Sequence, residues 1–266
     1  MKSPMDIFKR LIPMPVRRLV TEWMNRRIFQ RKLERATPVH VYQMGKVGST
    51  SIYRSLAQQY PGAVLHTHGF SPNHENPHVR LLRDWALVKK RPLKVISLTR
   101  EPIGRNVSAF FENFERDTGT PYSASRFTIE ELKAIFIANY KHDIPLTWFD
   151  RHILENFGID VYASRFPENG IATYSRENIE LLVMRLDIPD NEKVAAIKKF
   201  LGLEEFQLHN KNIGGEKDYS ATYREFSSRL KFFPDYIEKM CRSKYFNHLY
   251  SKEAIAAARE RWSEKK

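Results

Sequence analysis

Three short apolar runs, "VHVYQM" at 39–44, "AVLHTH" at 63–68 and "LKVISL" at 93–98, each break into a polar loop followed by a helix-forming stretch. Such alternation is the sequence sign of a parallel sheet covered on both faces, because parallel strands need a long crossover that a helix fills. The helices expected after the three runs are 49–59, 79–90 and 103–116, the last opened by Pro102 in its first turn. Thr128 and Glu131 have the spacing of a capping box for a further helix, which Pro145 stops near Asp143. Another helix is expected over 145–157, closed by Gly158, with Trp148 and Phe149 in its core face. A hairpin is expected from "IDVYASRF" (159–166) and "GIATYS" (170–175) across Pro167–Gly170. "IELLVMRL" (179–186) reads as a late buried strand, followed by a helix at 191–201, a polar loop at 209–218 and two or three C-terminal helices. The expected fold is α/β: a three-layer α/β/α domain around a central parallel sheet of four or five strands.

At 266 residues and 42% apolar content the chain can bury one substantial core. Its single cysteine, Cys241, excludes a disulfide framework and a multi-thiolate metal site, so a reducing, cytoplasmic setting is expected. Of the formal net charge of +13, residues 1–35 supply +7, with ten Lys and Arg against Asp6, Glu22 and Glu34. Ile7, Phe8, Leu11, Leu19, Val20, Trp23, Met24 and Phe29 recur there near helical spacing, interrupted at Pro13 and Pro15, which reads as two amphipathic pieces. Residues 1–36 are therefore read as a basic amphipathic arm before a domain spanning 37–266. Two roles stand open for the arm: packing on the domain with a solvated basic face, or peripheral contact with an anionic membrane surface on the inner face. No apolar stretch approaches the roughly 20 residues that span a bilayer, and there is no signal-peptide core with a cleavage site. Nucleic acid is not an expected partner, and the oligomeric state is not written in the sequence.

The first run leads into "GKVGSTS" (45–51), which places Gly, Lys, Ser and Thr between a strand and a helix. A helix N-terminus offers unpaired N–H groups and a partial positive charge, so this P-loop-like loop suits an anion such as a phosphate. It is not the Walker pattern: His40 stands where the first glycine belongs, and Val47 follows the lysine in place of a hydroxyl. A magnesium-dependent phosphotransferase would also want an Asp closing a later strand. The third run ends in Thr99-Arg100 and the late strand in Arg185-Leu186-Asp187, leaving Asp187 as the sole candidate metal carboxylate. The site is expected to bind a polyanion without a metal.

These residues resemble the sulfotransferases that use 3′-phosphoadenosine 5′-phosphosulfate (PAPS). Lys46-Val47-Gly48-Ser49-Thr50-Ser51 is similar to that family's 5′-phosphosulfate loop, and Arg100 with Ser108, eight positions on within "SLTREPIGRNVSAFF", to its 3′-phosphate element. "HTH" puts His68 where cytosolic members carry the catalytic base, with His66 in place of their lysine, and "IKKFLGL" is similar to their C-terminal core. The resemblance covers about residues 38–225. Within it, "PLTWFDRHILENFGIDVYA" and "NKNIGGEKDYSATYREF" look most like the microbial capsular polysaccharide synthesis proteins. It implies sulfate transfer from PAPS, as co-substrate, to a hydroxyl of a saccharide or glycan, with no metal. Lys46 would be the catalytic cation and His68 the base, with Glu75, His66, Glu112 or Asp143 as substitutes. Lys211, Asn212 and Lys217 lie where family members close over the donor's 3′ side, although the cytosolic Arg-Lys-Gly signature is absent.

Other readings compete. Lys46–Ser51 could be an ordinary helix cap, Arg100 a surface ion pair with Glu101 or Glu112, and Ser108 a hydroxyl bonded to its own helix. His66, His68, His74 and His78 invite a metal reading without an identifiable third ligand. At the level of the whole chain the alternatives are a magnesium-dependent nucleotide phosphotransferase and a noncatalytic polyanion- or membrane-binding protein.

Overall fold

A computed structural model describes residues 14–120, 127–209, 225–228 and 230–263, apart from the side chains of 15–19 and 117. Five strands, β1 (Val39–Tyr42), β2 (Val64–Thr67), β3 (Leu93–Thr99), β4 (Ile171–Arg176) and β5 (Ile179–Arg185), form one sheet in the order β2-β1-β3-β5-β4. β2, β1, β3 and β5 run parallel, and β4 closes the edge antiparallel to β5. The interior strands β1, β3 and β5 are buried at nearly every position, as helices on both faces require, which makes the architecture three-layer α/β/α.

The N-terminal helix α1 (Met14–Arg35) takes Pro15 in its first turn, where a missing N–H costs nothing; the amphipathic piece expected before it, with Ile7, Phe8 and Leu11, lies outside the described residues. Pro13 lies outside the described residues. Phe29 and Leu33 sink into the core, and Ala63 N–H donates to the Lys32 carbonyl at 3.1 Å, so the end of α1 is fastened to the domain. α2 (Ser49–Gln59) occupies the span expected of it. α3 (Pro77–Arg83) is capped by the Asn76 side chain and widens into a π-helical turn at Asp84–Val88, ending before left-handed Lys90. α4 (Pro102–Thr118) is capped by Glu101, which accepts from Ile103 N and Gly104 N. α5 (Ile129–Asn139) carries the complete Thr128–Glu131 capping box. α6 runs as Ile144–Trp148, a π-helical stretch Phe149–Leu154 and Glu155–Phe157.

The expected hairpin is the principal correction. Residues 159–166 form no strand; β4 pairs instead with β5 through Glu177 and Asn178, with Glu177 in the left-handed region at φ 51°. The alternation of Ile159, Val161 and Phe166 is satisfied by burial in a turn, where Asp160 accepts from Tyr162 N–H at 2.8 Å and His248 Nε2 meets the Val161 carbonyl at 2.9 Å. Alternating apolar residues need one buried side, and packing under helices supplies it as well as a sheet does. α7 (Asp190–Leu201), α8 (Pro234–Cys241), α9 (Lys244–Leu249) and α10 (Lys252–Trp262) complete the described elements. Among the described residues, no helix is long and apolar enough to cross a membrane.

Candidate functional site

Strand order reverses at β1, with β2 on one side of it and β3 on the other. In an open α/β sheet that reversal leaves a crevice beyond the carboxyl ends of the strands. Here it is a cleft of about 630 Å³, lined by the loop after β1, by His66 and His68 of the β2 end, by Arg100 after β3, and by one face of α4. Arg105, Ser108, Glu112 and Arg116 recur at three and four residues, so a single helical stripe presents all of them.

The loop is held in an unusual shape. Lys46 and Gly48 both have positive φ, 72° and 76°, a region that costs a lysine and suits a glycine. A Cβ at Gly48 would also lie 2.5 Å from Leu186 Cδ1, so glycine is required there twice over. Gly48 caps α2 with no side chain over the helix end, and the first-turn N–H groups have no intrahelical partner. Two guanidinium groups fix the loop from the α4 side. Arg105 Nε donates to the Gly45 carbonyl at 2.9 Å, and Arg100 Nη1 donates to the Lys46 carbonyl at 3.1 Å.

Arg105 is buried, and its Nη1 also donates to Tyr140 OH at 2.7 Å and to Asn106 Oδ1 at 3.1 Å. Among the described residues neither Arg100 nor Arg105 has a carboxylate at ion-pair distance, which is costly for a buried cation unless an anion arrives. Burial pulls the Arg105 pKa down, yet a guanidinium starts so high that it stays charged. Lys46 Nζ is 3.2 Å from Glu112 Oε2, a partly exposed pair that an incoming anion can open.

Histidines line the β2 side. His66 Nε2 lies 3.0 Å from Ser49 Oγ and 3.1 Å from Gln43 Nε2, and burial, aided by His68, lowers its pKa to about 4, so it is neutral and accepts. His68 Nδ1 is 2.7 Å from the Gln43 carbonyl. A carbonyl can only accept, so Nδ1 carries a proton, and in the neutral tautomer the lone pair is on Nε2. That Nε2 lies against the loop, 3.7 Å from where a Cβ on Gly45 would stand. The opposite wall is aromatic: Trp148 stacks on His152 at 3.9 Å between centroids, and Tyr42 OH lies 2.7 Å from His152 Nδ1.

Of the residues singled out in the sequence, Lys46, Gly48, Ser49, Thr50, His68, Arg100 and Ser108 all line this one cleft. Val47 turns into the core, and Ser51 is not among the lining residues. Lys211, Asn212 and Lys217 lie outside the described residues. Among the substitute bases, His66 and Glu112 line the cleft, whereas Asp143 is paired with Lys239 at 2.8 Å and Glu75 is exposed elsewhere. Asp187 lies 3.2 Å from Arg185 Nε. Sequence reasoning missed Arg105, Gln43 and His152. Arg105 was findable, since it lies three residues before Ser108 and so shares its face; His152 depends on a π-helical stretch that no spacing announces.

Comparison with known proteins adds one finding from the second half of the chain. Residues 124–251 match a capsular polysaccharide synthesis family. Its full description is "Putative capsular polysaccharide synthesis protein". The matched segment holds Tyr140, Ile144, Trp148, His152 and Leu186 of the cleft. No curated protein and no solved structure matches the chain.

Proposed function

We propose that this chain is a sulfotransferase that moves the sulfuryl group of PAPS to a hydroxyl of a saccharide in capsule synthesis. The observation that carries the reading is the position of Arg100. It lines both the cationic cleft and a second cavity of about 540 Å³, whose walls include Phe246, Tyr250, Ala254, Ala258 and Trp262. A donor with phosphates at one end and a purine at the other spans two such cavities, its 3′-phosphate at the fork of Arg100 with Ser108 in the same cleft. The 5′-phosphosulfate then meets the first-turn amides of α2 and Lys46, drawn off Glu112.

In the transfer, a bond forms between the acceptor oxygen and sulfur as the bond from sulfur to the 5′-phosphate oxygen breaks. The acceptor proton passes to His68 Nε2, and 3′-phosphoadenosine 5′-phosphate leaves. Lys46 and Arg105 stabilise charge building on the leaving phosphate, an electrostatic contribution that costs no reorganisation when the groups are already fixed. The acceptor approaches along the Trp148–His152 wall. The buried thiol of Cys241 fits the expected reducing cytoplasm.

The test is incubation of the purified chain with radiolabelled donor and a capsular oligosaccharide pool, beside calorimetry with 3′-phosphoadenosine 5′-phosphate. Label should pass to saccharide and continue to do so with a chelator present. Lys46→Ala should lower transfer on the order of 10²–10³-fold and leave the thermal midpoint nearly unchanged, because its ion pair is partly exposed. Absence of both donor binding and label transfer would sink the reading. Activity abolished by the chelator would move it to a metal-dependent phosphotransferase, and full turnover by Lys46→Ala would remove the lysine's role.

A further inference from the structure

The two ends of α1 differ. Its last turns belong to the core through Phe29 and Leu33, but every residue from Val20 to Ile28 is exposed. Val20, Trp23, Met24 and Ile28 fall at i, i+3, i+4 and i+8, one stripe of an α-helix, and Trp23 is 57% and Met24 51% accessible. Arg27, Arg31 and Arg35 extend the same face, at seven, eleven and fifteen residues from Val20, and the Arg27 guanidinium stands 4.8 Å over the Trp23 ring.

The surface continues beyond the helix. A groove of about 330 Å³ separates α1 from α3, with Arg27, Arg31 and Glu34 on one wall and Asp84, Trp85 and Lys89 on the other. Next to that second wall Val88 is 73% exposed and is followed by exposed Lys89, Lys90 and Arg91. Among the described residues the acids nearby are few: Glu22 and Glu34 on α1, Asp84 paired with Lys89, and Glu177 paired with Lys90.

Charge and apolar side chains are interleaved here, not segregated. A protein interface gathers its apolar residues at the centre and depletes charge there. A lipid surface favours the mixed pattern: the acyl boundary takes Trp, Met and Ile, while arginines lay their stems along it and reach headgroup phosphates. Each basic residue near an anionic leaflet adds about 1 kcal/mol of attraction. We propose that the outward face of α1, with the Val88–Arg91 turn beside it, docks on an anionic phospholipid bilayer. The inference stands independently of the transfer chemistry.

Co-sedimentation of the full chain tests it, with vesicles of phosphatidylcholine alone and of phosphatidylcholine mixed with phosphatidylglycerol. The chain should pellet with the mixed vesicles and be released by salt. The triple variant Trp23→Ser, Met24→Ser, Ile28→Ser should bind at least about tenfold more weakly, with an unchanged thermal midpoint because all three side chains are exposed. Arg27→Glu with Arg31→Glu should remove the preference for anionic lipid. The proposal is overturned if the wild-type chain stays in the supernatant, or if the triple variant binds as well as wild type. It is equally overturned if light scattering shows a dimer that the triple variant dissolves while vesicles bind nothing, since the occupant is then a second copy.

Discussion

The charged groups of the cleft and the segment matched to the capsular family come from different halves of the chain. Lys46, Arg100, Arg105, Glu112 and Arg116 all precede residue 124, where the match begins. The matched half contributes an aromatic and apolar wall, together with three grips on the charged half. Tyr140 OH accepts from Arg105, the His142 carbonyl accepts from Asn106 Nδ2 at 2.9 Å, and Tyr245 OH bonds both backbone groups of Arg100. The charged groups and the frame that holds them are thus separable parts. On the proposed reading the first half handles the donor, and the second half sets the donor groups in place while facing the acceptor.

The largest test of this division is acid. His40 is wholly buried, and burial, followed by His66 and His74, pushes its pKa down to about 3. Its Nε2 lies 2.8 Å from Thr67 Oγ1, and its Nδ1 has no partner among the described residues. Above its ordinary value of 6.5 the ring is neutral folded and unfolded alike, and stability does not depend on it. Below 6.5 the unfolded chain takes the proton first, so stability falls as pH drops toward 3, by on the order of 4 kcal/mol. His66, lowered to about 4, adds to the same trend as pH falls from 6.5 to about 4. Both are in the charged half; burial also lowers the pKa of His142, His152 and His248 in the matched half. Urea midpoints measured from pH 7 to 4 should fall, and His40→Leu should flatten the curve. An unchanged slope would remove the charged half as the acid-sensitive one.

Arg105→Met comes next. It takes the donor from the Gly45 carbonyl, from Tyr140 OH and from Asn106 Oδ1 together, in a buried place where orphaned acceptors are expensive. A loss of about 3 kcal/mol by chemical denaturation is expected, with weaker binding of 3′-phosphoadenosine 5′-phosphate, and Arg105→Lys should recover only part of either. A loss below about 1 kcal/mol would mean that the loop does not need the guanidinium to hold its shape.

Much of this was legible in advance, for identifiable reasons. β1, β3 and β5 are buried strands in largely apolar runs, and α2 and α5 are bounded by a glycine and by a capping box, signals local enough to read from one chain. The β4–β5 hairpin was misplaced because Glu177-Asn178 lacks the Asn-Gly or Asp-Gly signature of a two-residue turn, while Pro167–Gly170 offered a stronger false one. Lys46, Arg100, Ser108 and His68 reach one cleft because strand ends at a switch point converge whatever the intervening sequence. The contacts that hold them were not legible. Arg105 to Tyr140 and Tyr42 to His152 join residues 35 and 110 apart, and pairings of that range depend on packing.

The joint at Tyr245 should give the smallest effect and the finest reading of how the halves cooperate. Its hydroxyl accepts Arg100 N–H at 3.2 Å and donates to the Arg100 carbonyl at 2.9 Å, and burial raises its pKa, so it keeps the proton that the second bond needs. Tyr245→Phe preserves the packed ring and removes both bonds, which should cost about 1–2 kcal/mol. If the frame's role is to aim Arg100, affinity for 3′-phosphoadenosine 5′-phosphate should drop several-fold while affinity for pyrophosphate, which needs only the α2 end of the cleft, holds. Equal weakening of both ligands would show the whole cleft loosening. Loss of stability with both affinities intact would make Tyr245 a structural joint and leave Arg100 aimed by its own half.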